Sequence, residues 1–322
     1  LAGIVVEDLG SRSGAYLDDL VLRGPTTVTG RSVLTLGQTK LIVERRGPVH
    51  APPPELEGFR LTKRLGQGGA GTVYAGEVIS TGRQVAVKVL LEDADEVSRR
   101  RFEQEAGIVG RLDHPAIGRV IGLRSSGGRP CLVRELVPGR SLMDRIQAEG
   151  ALPWQQVVAI GARIADALAH AHGRGVIHRD VKPGNVILVD PGEAPVLIDF
   201  DLARRDYTNS MTQLTETGEG LGTISYLAPE QLRDAHSVDG RADVYGLGMT
   251  LYHALSGSLP FIEFEPEELF DALLHSGPRP LTQLVRDAPP AVMAAIRTAY
   301  AIDPGARYPS AEHMARAFGS LG

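Results

Sequence analysis

The chain has 322 residues, of which 43% are hydrophobic and 23% charged, and its formal net charge is −5. This balance excludes disorder over the whole chain, and without a strong basic field we expect no nucleic-acid partner. The single cysteine, Cys131, excludes an internal disulfide and a cysteine-based zinc site. It also indicates a reducing compartment, and we expect a cytoplasmic location. No apolar run is long enough to predict a membrane segment, and the acidic first residues do not resemble a signal peptide. Because the first residue is Leu1 and not Met, we expect a fragment or a processed product.

The first 45 residues predict β-structure without a helical period. Short β-prone runs alternate with Gly, Pro and Asp, the residues that favour turns. The runs are Ile4–Val6, Ala15–Leu17, Ser32–Leu36 and Lys40–Val43. Residues 46–58 follow with a proline-rich run, which predicts a semi-rigid linker.

From residue 59 the pattern is that of strands and one helix, and after residue 140 a helical period dominates. Strands are predicted at Phe59–Leu65, Thr72–Val78 and Gln84–Leu91, and a helix with Phe102, Ala106 and Val109 on one face. One later helix is predicted to bury Val157, Ile160, Ile164, Leu168 and Ala171, and another Val244, Leu247, Leu251 and Leu255. We therefore expect a small β-rich lobe followed by a larger α-rich lobe.

A GxGxxG pattern spans residues 66–71. Glycines allow backbone N–H groups to approach phosphates closely. A Walker A loop is excluded because Thr72 stands where that loop has lysine. The residues after the loop alternate like a strand, whereas a dinucleotide-binding loop opens a helix. Glu92 and Asp93 lie about where a ribose-binding acid would be, and a dinucleotide-binding loop therefore remains an alternative. A tight hairpin without a ligand is a further alternative.

Lys88 lies on the next predicted strand, in the run Val85-Ala86-Val87-Lys88. Strand alternation directs its side chain away from the face that Val87 and Val89 occupy. We expect the glycine loop to cover that side, where a cation can bind phosphate oxygens. Glu105 follows on the predicted helix and is a candidate partner for the Lys88 ammonium.

An acid, a base and an amide lie within six positions of a predicted loop. Asp180 can accept the proton of a hydroxyl nucleophile, and Lys182 can neutralise charge on a transferring phosphoryl group. Asn185 offers a neutral oxygen to a hard cation such as Mg²⁺. Asp199 ends an apolar strand, where its carboxylate can hold Mg²⁺ against phosphates.

Together these motifs resemble the eukaryotic-like Ser/Thr protein kinases of bacteria, from Phe59 to about Leu321. The resemblance covers the glycine loop, the Lys88 strand, the HRD loop His178–Asp180, the DFG-type site at Asp199, Ala228–Glu230 and Arg307. It implies an α+β, bilobal protein-kinase fold over residues 59–321, with ATP and Mg²⁺, or Mn²⁺, as cofactors and proteins as substrates.

The resemblance also implies a role for each matching residue. Catalytic roles fall to Asp180, Lys182, Lys88 and Glu105, and metal binding to Asn185 and Asp199. ATP binding falls to Leu65, Gly66, Gln67, Gly68, Gly69, Ala70, Gly71, Thr72, Val73, Ala86, Lys88, Glu135 and Val137. Structural roles fall to His178, Arg179, Glu230, Asp243 and Arg307. Within the last set, an ion pair between Glu230 and Arg307 is implied, and Asp243 is expected to brace the HRD backbone.

The family resemblance places an activation segment at about Leu202 to Glu230. In the family, an arginine such as Arg179 meets a phosphorylated residue of this segment, and Thr215 and Thr217 are the candidates. An unmodified segment is the alternative. Lys182 together with Thr223 resembles the Ser/Thr signature and not the tyrosine-kinase loop.

Two residues depart from the family pattern. Asp201 replaces the glycine that follows Asp-Phe. Arg134 stands at the gatekeeper position, usually apolar, and a buried unpaired guanidinium there would be very costly. We therefore expect Arg134 to pair with a carboxylate, either Asp201 or Glu105.

The N-terminal residues resemble the second half of a forkhead-associated (FHA) domain, a partial all-β sandwich over residues 1–45. The matching segments are residues 5–17, 34–37 and 41–43. Ser13 stands where that family usually has Asn, and the half that carries the main phosphate-binding residues is absent. Phosphothreonine peptides are therefore expected as partners only if a longer protein completes the domain. A β-appendage without a partner is the alternative.

These features predict a Ser/Thr protein kinase that transfers the ATP γ-phosphate to protein hydroxyls and autophosphorylates its activation segment. The alternative is a pseudokinase or phosphopeptide-linked scaffold with little catalysis, because of Asp201 and Arg134. A small-molecule kinase of the same fold is disfavoured by the complete Ala228–Glu230 segment and the Gly222-Thr223 loop.

Overall fold

The structure is a computed structural model that describes most of the chain in several ranges. These are residues 4–6, 15–17, 20–21, 26–28, 31–36, 39–44, 53–68, 71–90, 102–103, 106–107, 109–200, 224–233, 238–264 and 266–322. The chain divides into two compact units, Leu1–Pro53 and Pro54–Gly322. Among the described residues, no helix combines the length and the apolar character needed to cross a bilayer.

The described elements of the first unit are all strands. They are β1 (Ile4–Val6), β2 (Ala15–Leu17), β3 (Leu20–Val21), β4 (Thr26–Val28), β5 (Arg31–Leu36) and β6 (Thr39–Glu44). Strand β1 pairs with β4, and a separate four-stranded sheet has the order β3-β2-β5-β6. The sequence analysis missed β3 and β4, which have two and three residues.

The second unit begins with a five-stranded antiparallel sheet of order β10-β11-β9-β8-β7. Its strands are β7 (Phe59–Gly68), β8 (Gly71–Val78), β9 (Gln84–Leu90), β10 (Val120–Ser126) and β11 (Arg129–Glu135). One face carries a small core of Leu56, Val85, Val87, Val89, Cys131 and Val133. Leu56, which the sequence analysis assigned to the linker, is therefore part of this lobe. Residues 102–103, 106–107 and 109 are helical, as the spacing predicted.

Helices build the larger lobe. They are α1 (Leu142–Glu149), α2 (Trp154–His172), α3 (Pro229–Arg233), α4 (Arg241–Ser256), α5 (Pro266–Asp271), α6 (Leu281–Leu284), α7 (Pro290–Ala299) and α8 (Ala311–Gly319). A π-helical turn, Ala272–Ser276, follows α5 directly. All the apolar residues predicted for one face of α2 are buried, and α4 is buried on nearly every side. The second unit is thus bilobal, with a β-sheet lobe and a helical lobe.

A small three-stranded sheet is flanked by two loops that contain candidate site residues. Its strands are β12 (Gly139–Ser141), β13 (Val186–Val189) and β14 (Ala194–Leu197), in the order β12-β13-β14. Strand β12 leads into α1 through a capping box, in which Ser141 and Asp144 each accept the other's backbone N–H. The loop before β13 contains the 3₁₀ turn Pro183–Asn185, and the loop after β14 contains Asp199.

Candidate active site

A cleft of about 390 Å³ opens between the β-sheet lobe and the small sheet. Residues predicted to bind ATP line it from the sheet side, namely Leu65, Gly66, Val73 and Ala86. Glu135 and Val137, also predicted to bind ATP, line the connection between the lobes. Asp199 lines the opposite wall. Six of the residues predicted to bind the nucleotide and one of the two predicted to bind the metal therefore share one cavity.

The glycine loop is the tip of the β7–β8 hairpin. The strand pairing continues further into the loop than the sequence predicted, with Gln67 opposite Thr72 and Gly68 opposite Gly71. A Cβ on Gly71 would collide with the carbonyl oxygen of Val89. Only glycine therefore lets the hairpin lie this close to β9. Gly69 and Ala70 lie outside the described residues.

Lys88 lies on β9 between Val73 of β8 and Leu132 of β11. Its charge acts on Asp199 across the cleft and helps to lower the pKa of that carboxyl. Glu105, the predicted partner of Lys88, lies outside the described residues.

Asp180 is held by two neighbours in its own loop. Asn185 Nδ2 donates to the backbone oxygen of Asp180 at 2.7 Å and to Oδ2 at 3.1 Å. Lys182 Nζ lies 2.9 Å from the same Oδ2. Within the described part of the chain, Oδ1 has no such contact and remains available to a further group.

Asp243 braces the backbone just before Asp180. Its carboxylate accepts the backbone N–H groups of His178 and Arg179, at 2.8 and 2.7 Å. His172 Nε2 lies 2.7 Å from the same carboxylate. Burial alone would raise the pKa of Asp243, but the contact with His172 and the N–H donor of His178 outweigh it and lower the pKa. The buried carboxylate is therefore charged at neutral pH.

His178 joins this loop to the segment that carries Asp199. Its Nε2 lies 3.0 Å from the carbonyl oxygen of Ile198, its Nδ1 accepts the N–H of Asp180, and its ring packs on Phe200 at 4.5 Å. The N–H of Ile198 in turn donates to the backbone oxygen of Asn185 at 2.9 Å. These contacts hold Asp199 in a left-handed conformation, with φ of 58°, on the wall of the cleft.

The donor set of this wall fits a hard cation. Because Asn185 Nδ2 makes both contacts with Asp180, the amide oxygen Oδ1 remains for a ligand, and Asp199 supplies a carboxylate. The described residues contain no cluster of three or more His, Cys, Asp or Glu side chains arranged for a metal ion. Mg²⁺ commonly takes one or two protein oxygens and completes its shell with phosphates and water. Two oxygen donors, one of them on the wall of a cleft with room for phosphates, suit that chemistry.

Arg134 pairs with a carboxylate, as expected from the sequence. The partner among the described residues is Asp199, with Nη1 at 2.7 Å from Oδ1 and Nη2 donating to Oδ2 at 3.3 Å. The Nη1 contact is an ion pair without hydrogen-bond geometry. Asp201 and Glu105, the partners expected from the sequence, lie outside the described residues. Burial would raise the pKa of Asp199, yet the charges of Arg134 and Lys88 lower it.

A second ion pair anchors the helical lobe. Arg307 binds Glu230 through both carboxylate oxygens, at 2.6 and 2.8 Å. It also donates to three backbone carbonyls and lies 4.9 Å from the centre of the Tyr245 ring. Thr215, Thr217 and Thr223 lie outside the described residues.

Comparison with known proteins decides the family. The protein kinase domain family matches residues 59–314. The chain belongs to the protein kinase family.

Its relatives are bacterial Ser/Thr kinases. Serine/threonine-protein kinase pkn2 of Myxococcus xanthus is 39% identical over 69% of this chain and 27% of its own length. PknB of Mycobacterium leprae is 37% identical over 82% of this chain and 43% of its own length. The chain thus spans less than half of these curated relatives. The solved kinase domain of Mycobacterium tuberculosis PknI is 29% identical, with a TM-score of 0.65, over 83% of this chain and 98% of that one. The second unit is therefore a bacterial-type Ser/Thr protein kinase domain, and this family uses ATP and a divalent metal.

The sequence analysis missed three residues that support the site of this kinase domain. His172 contacts Asp243, and Gln231 Nε2 donates to the oxygen of Arg179 at 2.9 Å. Arg83 forms an ion pair with Glu135 at the connection between the lobes. Gln231 directly follows Ala228-Pro229-Glu230, so the motif could have indicated it, whereas nothing local to His172 or Arg83 points to their partners.

Proposed function

We propose that this kinase transfers the γ-phosphate of ATP to Ser and Thr hydroxyls of proteins. The observation that carries the proposal is the Asp180 carboxylate, which Asn185 and Lys182 hold by Oδ2 while Oδ1 stays available. A base fixed in this way suits acceptance of a hydroxyl proton.

The other residues of the cleft supply binding and charge. Backbone N–H groups of residues 66–73 cover the phosphates, and the ammonium of Lys88, paired with Glu105, contacts them from β9. The backbone of Glu135 and Val137 meets the adenine. A divalent cation, Mg²⁺ or Mn²⁺, when bound, offsets negative charge on the phosphates. Asn185 and Asp199 are the oxygen donors that hold it, while Lys182 opposes charge on the transferring group.

We also propose that phosphorylation of Thr215 or Thr217 activates this kinase through Arg179. The Nε of Arg179 is buried and has no hydrogen-bond partner among the described residues. A phosphate oxygen would satisfy that donor and order the segment. Lys182 and Thr223 match the Ser/Thr signature of the family.

The N-terminal unit is proposed to be the second half of an FHA-like sandwich, over residues 1–45, joined to the kinase by a linker that begins at residue 46 and ends before Leu56. Its strand-only described elements support an all-β domain. Phosphothreonine peptides are its proposed partners in a longer protein. The single, free Cys131 supports a reducing compartment, hence the cytoplasm, as the place of action.

The test is transfer of labelled γ-phosphate from ATP with Mg²⁺ to a generic protein substrate and to the kinase itself. Asp180→Ala and Thr215→Ala/Thr217→Ala are the comparisons, with phosphosites mapped by mass spectrometry. We expect incorporation by the wild type, none by Asp180→Ala, and reduced incorporation by the double threonine variant. If the wild type and Asp180→Ala incorporate equally little, the chain is a pseudokinase. If the threonine variant keeps full activity, activation through Thr215 and Thr217 is excluded.

A further inference from the structure

Arg134 occupies a position that the sheet would normally give to an apolar side chain. On β11 its neighbour Val133 is fully buried on one face, and Arg134 is on the other, paired in register with Ala86 of β9 and Val120 of β10. The Arg134 side chain is only 10% exposed and lines the nucleotide cleft. A guanidinium this deep requires a carboxylate partner.

The partner is the carboxylate proposed to hold the metal. Arg134 Nη1 lies 2.7 Å from Oδ1 of Asp199, and Nη2 donates to Oδ2 at 3.3 Å. Both oxygens of Asp199 are therefore engaged by the same guanidinium. A cation that binds Asp199 must share this carboxylate with Arg134 or displace it from one oxygen.

The charges in the cleft also disfavour a divalent cation beside Asp199. Arg134 contacts Asp199, and Lys88 lies on β9, the strand paired with β11, so two positive charges act on one negative charge. A divalent cation added beside them is repelled by both. A nucleotide without metal is attracted by both, because its phosphates are anionic.

We propose that Arg134 is a built-in counter-ion of Asp199 that competes with the divalent cation for this carboxylate. This competition weakens the coupling between metal binding and nucleotide binding. This inference rests on the proposed function, because it assumes that the cleft takes a nucleotide. Its consequence is a kinase that binds nucleotide with less dependence on Mg²⁺ than the same fold with an apolar residue at position 134.

The experiment measures ADP binding to the full chain by calorimetry, in excess Mg²⁺ and in EDTA. The readout is the ratio of the two dissociation constants, metal-free over metal-containing. Arg134→Met removes the charge and keeps an unbranched side chain of similar length. Any change in the shape of the pocket alters both dissociation constants together and cancels in the ratio. Arg134→Lys keeps a positive charge at the same position. Arg119→Met is the matched control, since Arg119 is an exposed residue next to β10 with no contact to Asp199.

We expect the ratio to rise at least about fivefold in Arg134→Met, because coupling free energies between sites are commonly of this size or larger. It should stay near the wild-type value in Arg134→Lys and Arg119→Met. An unchanged ratio in Arg134→Met, or an equal rise in Arg134→Lys or Arg119→Met, overturns the role of Arg134 while the proposed function stands. If the wild type binds ADP in neither condition, the proposed function fails as well. Thermal unfolding of each variant shows that it is folded, and should Arg134→Met not fold, Arg134→Leu takes its place.

Discussion

The carboxylate of Asp243 accepts the backbone N–H of Arg179 at 2.7 Å, across 64 positions of the chain. Arg179 is a non-glycine residue with a φ of 66°, a left-handed conformation that costs free energy. Asp180, the proposed base, is the next residue. Asp243 thus stabilises a strained backbone directly beside the group whose position matters most for transfer.

Replacement of Asp243 tests this bracing. In Asp243→Ala the buried donors of His172, His178 and Arg179 lose their acceptor, so we expect unfolding free energy to fall by roughly 3 kcal/mol. Urea denaturation measures the change. The control is Asp271→Ala, whose side chain is 78% exposed, and for which we expect a change within about 0.5 kcal/mol. Equal stability of the two variants would show that the Asp243 contacts contribute little.

The stability of the helical lobe should depend on pH through His253. This residue is buried, its Nδ1 lies 2.6 Å from the hydroxyl of Tyr226, and burial lowers its pKa from 6.5 to about 4. Because the folded pKa is the lower one, the contribution to stability is complete above the unfolded pKa. It is lost as pH falls from about 6.5 towards 4, since only the unfolded state then takes up the proton.

The expected loss between pH 7 and pH 5 is about 2 kcal/mol, from a pKa difference of this size. The variant His253→Asn keeps an acceptor for Tyr226 but cannot titrate. Urea denaturation at both pH values should therefore show a smaller loss for the variant than for the wild type. Identical pH dependence of the two proteins would contradict a buried neutral His253.

The Glu230–Arg307 pair should contribute strongly to stability because it is shielded from water. The side chain of Arg307 is fully buried and that of Glu230 is 23% exposed. Removing one partner leaves the other charge buried and uncompensated, so we expect Glu230→Ala to lower the unfolding free energy by about 3–5 kcal/mol.

Glu312 offers a matched comparison for the loss of an acidic partner. It lies 3.6 Å from Arg316 on the surface of α8, where both side chains are about two-thirds exposed. Chemical denaturation of Glu312→Ala should show a change below about 1 kcal/mol. If both variants lose the same stability, the burial of Arg307 is not what makes its pair important.

The sequence pattern predicted those elements whose structure depends on residues close together in the chain. The apolar face of α2 follows from helical spacing over 19 residues, and the order of residues from His178 to Asn185 indicated the loop chemistry. The partner of Arg134 could not be found in this way, because Asp199 lies 65 positions away and turns into the cleft through its left-handed backbone. The sequence analysis missed His172 for the same reason, because its contact with Asp243 exists only when α2 packs on α4.

Gly71 should be far less tolerant of substitution than Gly66, although both belong to the glycine loop. A Cβ on Gly71 would collide with the backbone of Val89, whereas a Cβ on Gly66 has no atom within 4 Å. We expect Gly71→Ala to lower the unfolding free energy by about 1–3 kcal/mol, the usual cost of overpacking. Gly66→Ala should be as stable as the wild type or slightly more stable. Thermal unfolding without nucleotide compares the two, and equal melting temperatures would refute the close packing of the hairpin on β9.

Lys182 should act on turnover and not on nucleotide affinity. Its Nζ lies 2.9 Å from Oδ2 of Asp180, the proposed base. In Lys182→Met we expect kcat to fall by about 10²-fold or more, the usual loss when one preorganised donor is removed. The KM for ATP should change little, and Lys182→Arg should restore part of kcat because it keeps the charge. Steady-state kinetics with a peptide substrate separates the two constants. A raised KM for ATP at unchanged kcat would instead mean that Lys182 stabilises the bound substrate and the transition state equally.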